Sequence, residues 1–122
     1  YNNMTISLCI IGMGVSGIAT AKMALEAGVK IAAGSDAGPL KDALILEIEL
    51  LVQNGMSPMN AIKAATLTSA AVCEADKELG SIEEGKYADL VILRKNPAEA
   101  IGNIRSVYQV YKNGKLEINE NQ

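Results

Sequence analysis

The sequence predicts an α/β chain in two parts, and three observations carry that expectation. Two strand-length apolar runs, Thr5 to Ile11 and Val29 to Ala33, flank a helix-length stretch. Two further helical stretches follow, the first amphipathic and the second rich in alanine. Beyond Gly80 the pattern gives way to short β segments set between turn residues. A chain of 122 residues with 49% hydrophobic content is long enough for one compact domain and has none of the low hydrophobicity that marks disorder.

Each element has its own signal. Thr5 to Ile11 is rich in β-branched residues and ends at Gly12-Met13-Gly14, so it reads as a buried strand or as apolar core leading into a helix. Val15 to Ala27 combines small and apolar residues with Lys22 and Glu26 one helical turn apart, and Gly28 stops it. Val29 to Ala33 is almost continuously apolar, the pattern of a parallel strand covered on both faces, and it runs into Gly34-Ser35-Asp36. After Gly38-Pro39, the spacing of Leu44, Ile48, Leu51 and Val52 predicts an apolar helix face, with Asp42, Glu47, Glu49 and Gln53 largely elsewhere and Gly55 as the stop. Ser57-Pro58 is an N-cap and first-turn pair that opens a helix running through Leu67, whose alanines allow close packing. The β-rich part has strands over Ala88 to Leu93, Ser106 to Tyr111 and Lys115 to Ile118, with a hairpin at Lys112-Asn113-Gly114. Val107, Val110 and Tyr111 do not alternate cleanly, so the register stays open. The boundary falls near Glu78 to Ser81, giving domains 1–79 and 80–122.

Composition excludes several classes of function. The net charge is -3 and no block of like charges is present, which argues against a nucleic-acid-binding face. Met4 to Ala21 is uncharged, but its glycines and the absence of a preceding basic residue argue against a membrane span or an export signal. Cys9 and Cys73 lie far apart with no histidine near either, so they read as two buried thiols in a reducing, cytoplasmic setting. The sequence contains no histidine, which removes the commonest metal ligand and general base.

Two motifs carry chemistry. Gly12-x-Gly14-x-x-Gly17 follows one apolar run and opens a helix, and Asp36 ends the next run, so locally it matches a dinucleotide-binding fingerprint with pyrophosphate on the helix N-terminus and Asp36 on a ribose hydroxyl. Against this, two helices in succession follow where a dinucleotide fold continues with a strand. The second motif is Val29 to Pro39, where Asp36 stands at the C-terminal end of a buried parallel strand, the place where barrel enzymes put catalytic groups. An aspartate there also serves as an ordinary helix N-cap.

Three segments in this order resemble one family. Ala27-Gly28-Val29-Lys30-Ile31-Ala32-Ala33-Gly34-Ser35-Asp36-Ala37-Gly38 is similar to the eighth barrel strand, with its metal-binding aspartate, of the amidohydrolase superfamily, in the branch of imidazolonepropionase-like and Xaa-Pro dipeptidase-like enzymes. Asn54 to Thr66 resembles the helix that follows. Leu79 to Leu93, reading Leu-Gly-Ser-Ile-Glu-Glu-Gly-Lys-Tyr-Ala-Asp-Leu-Val-Ile-Leu, resembles the return to that family's small β-sandwich.

The resemblance implies the C-terminal end of a (β/α)8 barrel plus part of a β-sandwich, and hydrolysis of amide or cyclic amide bonds in a small-molecule substrate. It makes Asp36 both the catalytic and the metal-binding residue, with a divalent metal, zinc by expectation, as cofactor. The departure is large, because the family's histidine ligands have no counterpart in this sequence. The expectation is therefore a fragment that has no turnover and no tightly held metal by itself, and that associates into a homo-oligomer through exposed edges. The alternatives are an NAD(P)-binding module and a non-catalytic assembly domain. Asp89 is expected to be structural, Gly80, Gly85 and Gly114 to make turns, and Lys30 and Lys86 to be solvated.

Overall fold

The computed structural model describes residues 7–11, 15–35 and 41–120. It opens with a β-α-β unit: β1 (Ser7–Ile11), α1 (Val15–Glu26) and β2 (Lys30–Gly34). β1 and β2 are parallel neighbours in register from Ser7 opposite Lys30 to Ile11 opposite Gly34. A parallel pair needs a crossover, and α1 supplies it. The helix ends where expected because Gly28 adopts φ +70°, and the Gly28 and Val29 N–H groups donate back to the carbonyls of Leu25 and Ala24. Ile31, Ala32 and Ala33 are all buried, so β2 is covered on both faces as its apolar run predicts.

Three helices follow: α2 (Ala43–Gln53), α3 (Pro58–Ala65) and α4 (Leu67–Val72). The buried face of α2 differs from the expected one. It runs along Ala43, Glu47, Ile48 and Leu51, with Glu47 only 5% exposed and Leu44 45% exposed. One helical position is about 100° of rotation. With the small Ala43 turned inward, Leu44 points to solvent and Glu47 falls on the inner side. Gly55 at φ +106° ends this segment, and Ser57 caps α3 by accepting the Asn60 N–H at 3.3 Å with Pro58 in the first turn, as predicted.

Ala61 and Ala64 are buried in the same core as Ala21, Ala24, Ile31, Ile48, Leu51 and Met56. The single helix expected through Leu67 is instead divided at Thr66, which leaves helical geometry (φ -121°, ψ -91°) while its hydroxyl donates to the Ile62 carbonyl. Gly80 sits against this break. A Cβ there would stand 2.7 Å from the Ala70 Cβ and 3.0 Å from the Leu67 Cα, so Gly80 serves close approach as well as its φ of +91°. Cys73 caps the end of α4 and is exposed, which corrects the expectation of a buried thiol; α4 has no buried residue of its own.

The β-rich part is an antiparallel sheet in the order β3 (Leu90–Leu93), β4 (Val107–Lys112), β5 (Lys115–Asn119). β4 and β5 meet at Asn113-Gly114, whose φ values of +49° and +77° give the two-residue hairpin that the sequence predicts. The unclear register of the sequence has a cause in irregularities between Val110 and Tyr111 and between Ile92 and Leu93. Asp89 is structural, as expected: it accepts the Asn113 N–H at 2.7 Å and pairs with Lys112, bracing the hairpin. Lys86 is not solvated. Its side chain is 9% exposed, because the turn from Glu83 folds it back so that Nζ donates to Ser81 Oγ at 2.6 Å and pairs with Glu83 at 3.2 Å.

A 3-10 helix, Ile101–Arg105, absent from the sequence reading, joins the two parts. Ile101 and Ile104 pack against the core, and Arg105 reaches α2.

Candidate active site at the end of the second strand

Asp36, the expected catalytic and metal-binding residue, lies outside the described residues, as do Gly12 and Gly14 of the glycine motif. The described elements fix where these segments attach. β1 and β2 run parallel and Ile11 is opposite Gly34, so both strands end at the same edge of the sheet. That edge, at the strand C-termini, is where open α/β sheets and barrels bind ligands.

Two contacts anchor the surroundings of this edge. Ser69 of α4 places its hydroxyl 2.7 Å from the Ala33 carbonyl, one residue before the end of β2, and also 2.7 Å from the Ala64 carbonyl of α3. The second ties α2 and the Asp42 that precedes it to the 3-10 helix. Arg105 Nε and Nη2 donate to the two Glu49 carboxylate oxygens at 2.8 and 2.9 Å, and Nη1 donates to Asp42 at 3.2 Å. The two-point geometry matches guanidinium to carboxylate. It holds Glu49 below the usual glutamate range, mainly through the Arg105 hydrogen bonds, and raises Arg105 further above neutrality. Neither Ser69 nor Arg105 was singled out from the sequence. Their partners lie 36 and 56 positions away, and a lone serine or arginine carries no local signal.

A divalent ion needs three or more protein donors, commonly histidine, cysteine or carboxylate. Among the described residues no three His, Cys, Asp or Glu side chains come together in this way. The described donor set therefore does not fit a complete metal site. No described helix is long and apolar enough to cross a membrane.

The comparisons with known proteins converge. Residues 5–116 match the family model described as the amidohydrolase family. The ochratoxinase of Aspergillus niger is 39% identical over 98 residues, covering 76% of this chain and 20% of the relative. An imidazolonepropionase of Treponema denticola is 31% identical over 105 residues, covering 80% of this chain and 25% of its own length. Among solved structures, a Xaa-Pro dipeptidase with bound methionine in the active site is 42% identical with a TM-score of 0.76, over 83% of this chain and 25% of that one. The chain thus spans about a fifth to a quarter of the length of these proteins. The β-α-β unit is shared with dinucleotide-binding folds, but sequence and structural likeness both run well beyond it, across the helices and into the β-rich part, and on that extent of agreement this chain belongs to the amidohydrolase family.

Proposed function

We propose that this chain is the C-terminal part of a metal-dependent hydrolase acting on carbon-nitrogen bonds of small amide or cyclic amide substrates. In this reading β2 is the last strand of a (β/α)8 barrel within residues 1–79, and residues 80–122 belong to a small β-sandwich. Zinc is the expected metal, and the working form is an oligomer in the cytoplasm. The observation that carries the reading is the family match across residues 5–116, with Gly34-Ser35-Asp36 following a buried parallel strand. The alternatives, an NAD(P)-binding module and an assembly domain, rest on glycine spacing and on the exposed sheet alone.

A bound divalent ion would supply an acidified water as nucleophile near neutral pH. The remaining donors would come from other strands of the barrel, so this chain by itself is expected to have no turnover. Asp36 would contribute one ligand oxygen, take the proton from the attacking water, and pass it to the departing amine nitrogen. A carboxylate suits both tasks, because it can ligate and still accept a proton.

The test is Asp36→Asn in the full-length enzyme at saturating metal. Asparagine keeps the shape and removes the charge and the basic oxygen. kcat should fall by at least ~10²-fold, the usual scale for a positioned acid or base. Asp89→Asn, which touches only the hairpin, should leave kcat within a few-fold. The reverse pattern would sink the assignment.

A further inference from the structure

We propose that the cavity between the N-terminal half of β2 and the helices α3 and α4 binds a small amphipathic carboxylate, a molecule with an apolar chain and one anionic head. The cavity measures about 610 Å³, within the size range of small-molecule sites. Lys30 and Ile31, the first two residues of β2, line it. Nothing in this cavity depends on the role given above to Asp36, which follows the other end of that strand.

The walls follow from the local structure. Asn60 and Lys63 stand three apart on α3, and Thr68, Ala71 and Val72 three and four apart on α4, so each short helix turns one face to the cavity. Ile31 and Met56, 4% and 7% exposed, form an apolar floor continuous with the core. Leu67 and Val72, 39% and 44% exposed, form apolar walls open to water. A ligand chain laid along them removes that surface from water, and the small Ala71 leaves room for it.

The polar groups fix the class of ligand. Lys30 and Lys63 bring two cations, and no Asp or Glu is among the described lining residues. Among the described residues, the side chains of Lys30, Asn60, Lys63 and Thr68 have no hydrogen bond or ion pair to the rest of the chain. These are two ammonium groups, an amide and a hydroxyl, all able to donate to a carboxylate. Lysine stems lie along apolar surface and keep their charge in water, so the anionic head belongs at the mouth and the apolar chain inside.

The experiment titrates octanoate, 1-octanol and butyrate into the full-length enzyme by calorimetry. Octanoate should bind saturably at one molecule per chain. 1-Octanol, with the same chain and no charge, should bind about fivefold more weakly, the scale of a water-exposed ion pair. Butyrate lacks four methylenes, each worth roughly fourfold in affinity when buried, and should bind on the order of 100-fold more weakly. Lys63→Gln should weaken octanoate about fivefold and leave 1-octanol within about twofold. Ala71→Phe, which fills the cavity from α4, should weaken both by about tenfold. Octanoate held by a metal ion would respond to neither substitution. Thermal melting checks that the variants fold, and Lys63→Gln carries the test should Ala71→Phe fail to. No saturable octanoate binding to the full-length enzyme, 1-octanol binding as tightly as octanoate, butyrate binding as tightly as octanoate, or parental affinity in either folded variant overturns the proposal.

Discussion

The two parts of this molecule hold their shape by different means. From α1 to α3 the helices press small residues, Ala21, Ala24, Ala61 and Ala64, against β2 and close over Ile31, Ile48, Leu51 and Met56. From β3 to β5 every side chain is half-buried or exposed, and a cross-strand row of Val91, Val110 and Ile118 has Val91 58% and Ile118 49% exposed. The first part is stabilised by burial. The second is stabilised by backbone ladders, a braced hairpin and attachment through Ile101, Ile104 and Arg105. Apolar strands that bury so little are suited to a second layer, which in the proposed full-length enzyme would be the rest of the sandwich.

Substitutions can break this contrast. The largest effect on stability should come from Ile48→Ala, which removes a core side chain and leaves a cavity, at a cost of about 3 kcal/mol in chemical denaturation. Gly80→Ala should follow at about 2 kcal/mol, since the new methyl meets Ala70 and Leu67 and the backbone is left-handed there. A loss well under 1 kcal/mol would mean that the α3–α4 break is free to shift.

Glu49→Gln should lower Tm by about 3 °C at pH 7, because the charged pair with Arg105 is only partly shielded from water. The sign with pH is fixed by the direction of the shift. Glu49 is held below its ordinary value, so the ionised carboxylate stabilises the fold above the unfolded value of about 4.3 and loses that contribution as pH falls through the lower folded value. Melting curves of parent and variant should therefore separate at neutral pH and converge in acid. A gap that stayed constant down to low pH would assign the effect to packing. The smallest effect should be Ile118→Thr, within about 0.5 kcal/mol in the isolated chain. That substitution should also reduce any self-association detected by light scattering, and a large loss of stability would show that the sheet is already covered.

Most elements were legible in the sequence because their signals are local. Gly28, Ser57-Pro58 and Asn113-Gly114 each mark a boundary through their own backbone or side-chain chemistry. What escaped was set by distant neighbours. Glu47 is buried and Leu44 exposed because α2 is rotated to admit Ala43, which a count of apolar positions weighs too lightly. Lys86 is covered by its own turn, and the break at Thr66 falls in an alanine-rich run with no breaker residue. The candidate site was legible only in part. Asp36 stood out through its strand and its resemblance to a family, whereas Ser69 and Arg105 make their contacts with Ala33 and Glu49 across long stretches of chain.

The 3-10 helix also bears on how the chain is made. Residues emerge from synthesis in order, and β2 with α1 to α3 is complete 36 positions before Ile101 appears. Until Ile101, Ile104 and Arg105 arrive, the core lacks part of its apolar cover and Glu49 of α2 lacks its counter-charge. The early part of the nascent chain should therefore be open to proteases over that interval. Nascent chains stalled after Ala100 should be protease-sensitive in α2, and chains stalled well beyond Arg105, with that residue clear of the ribosome, should not. Equal sensitivity in the two would mean that the core closes without its last helix.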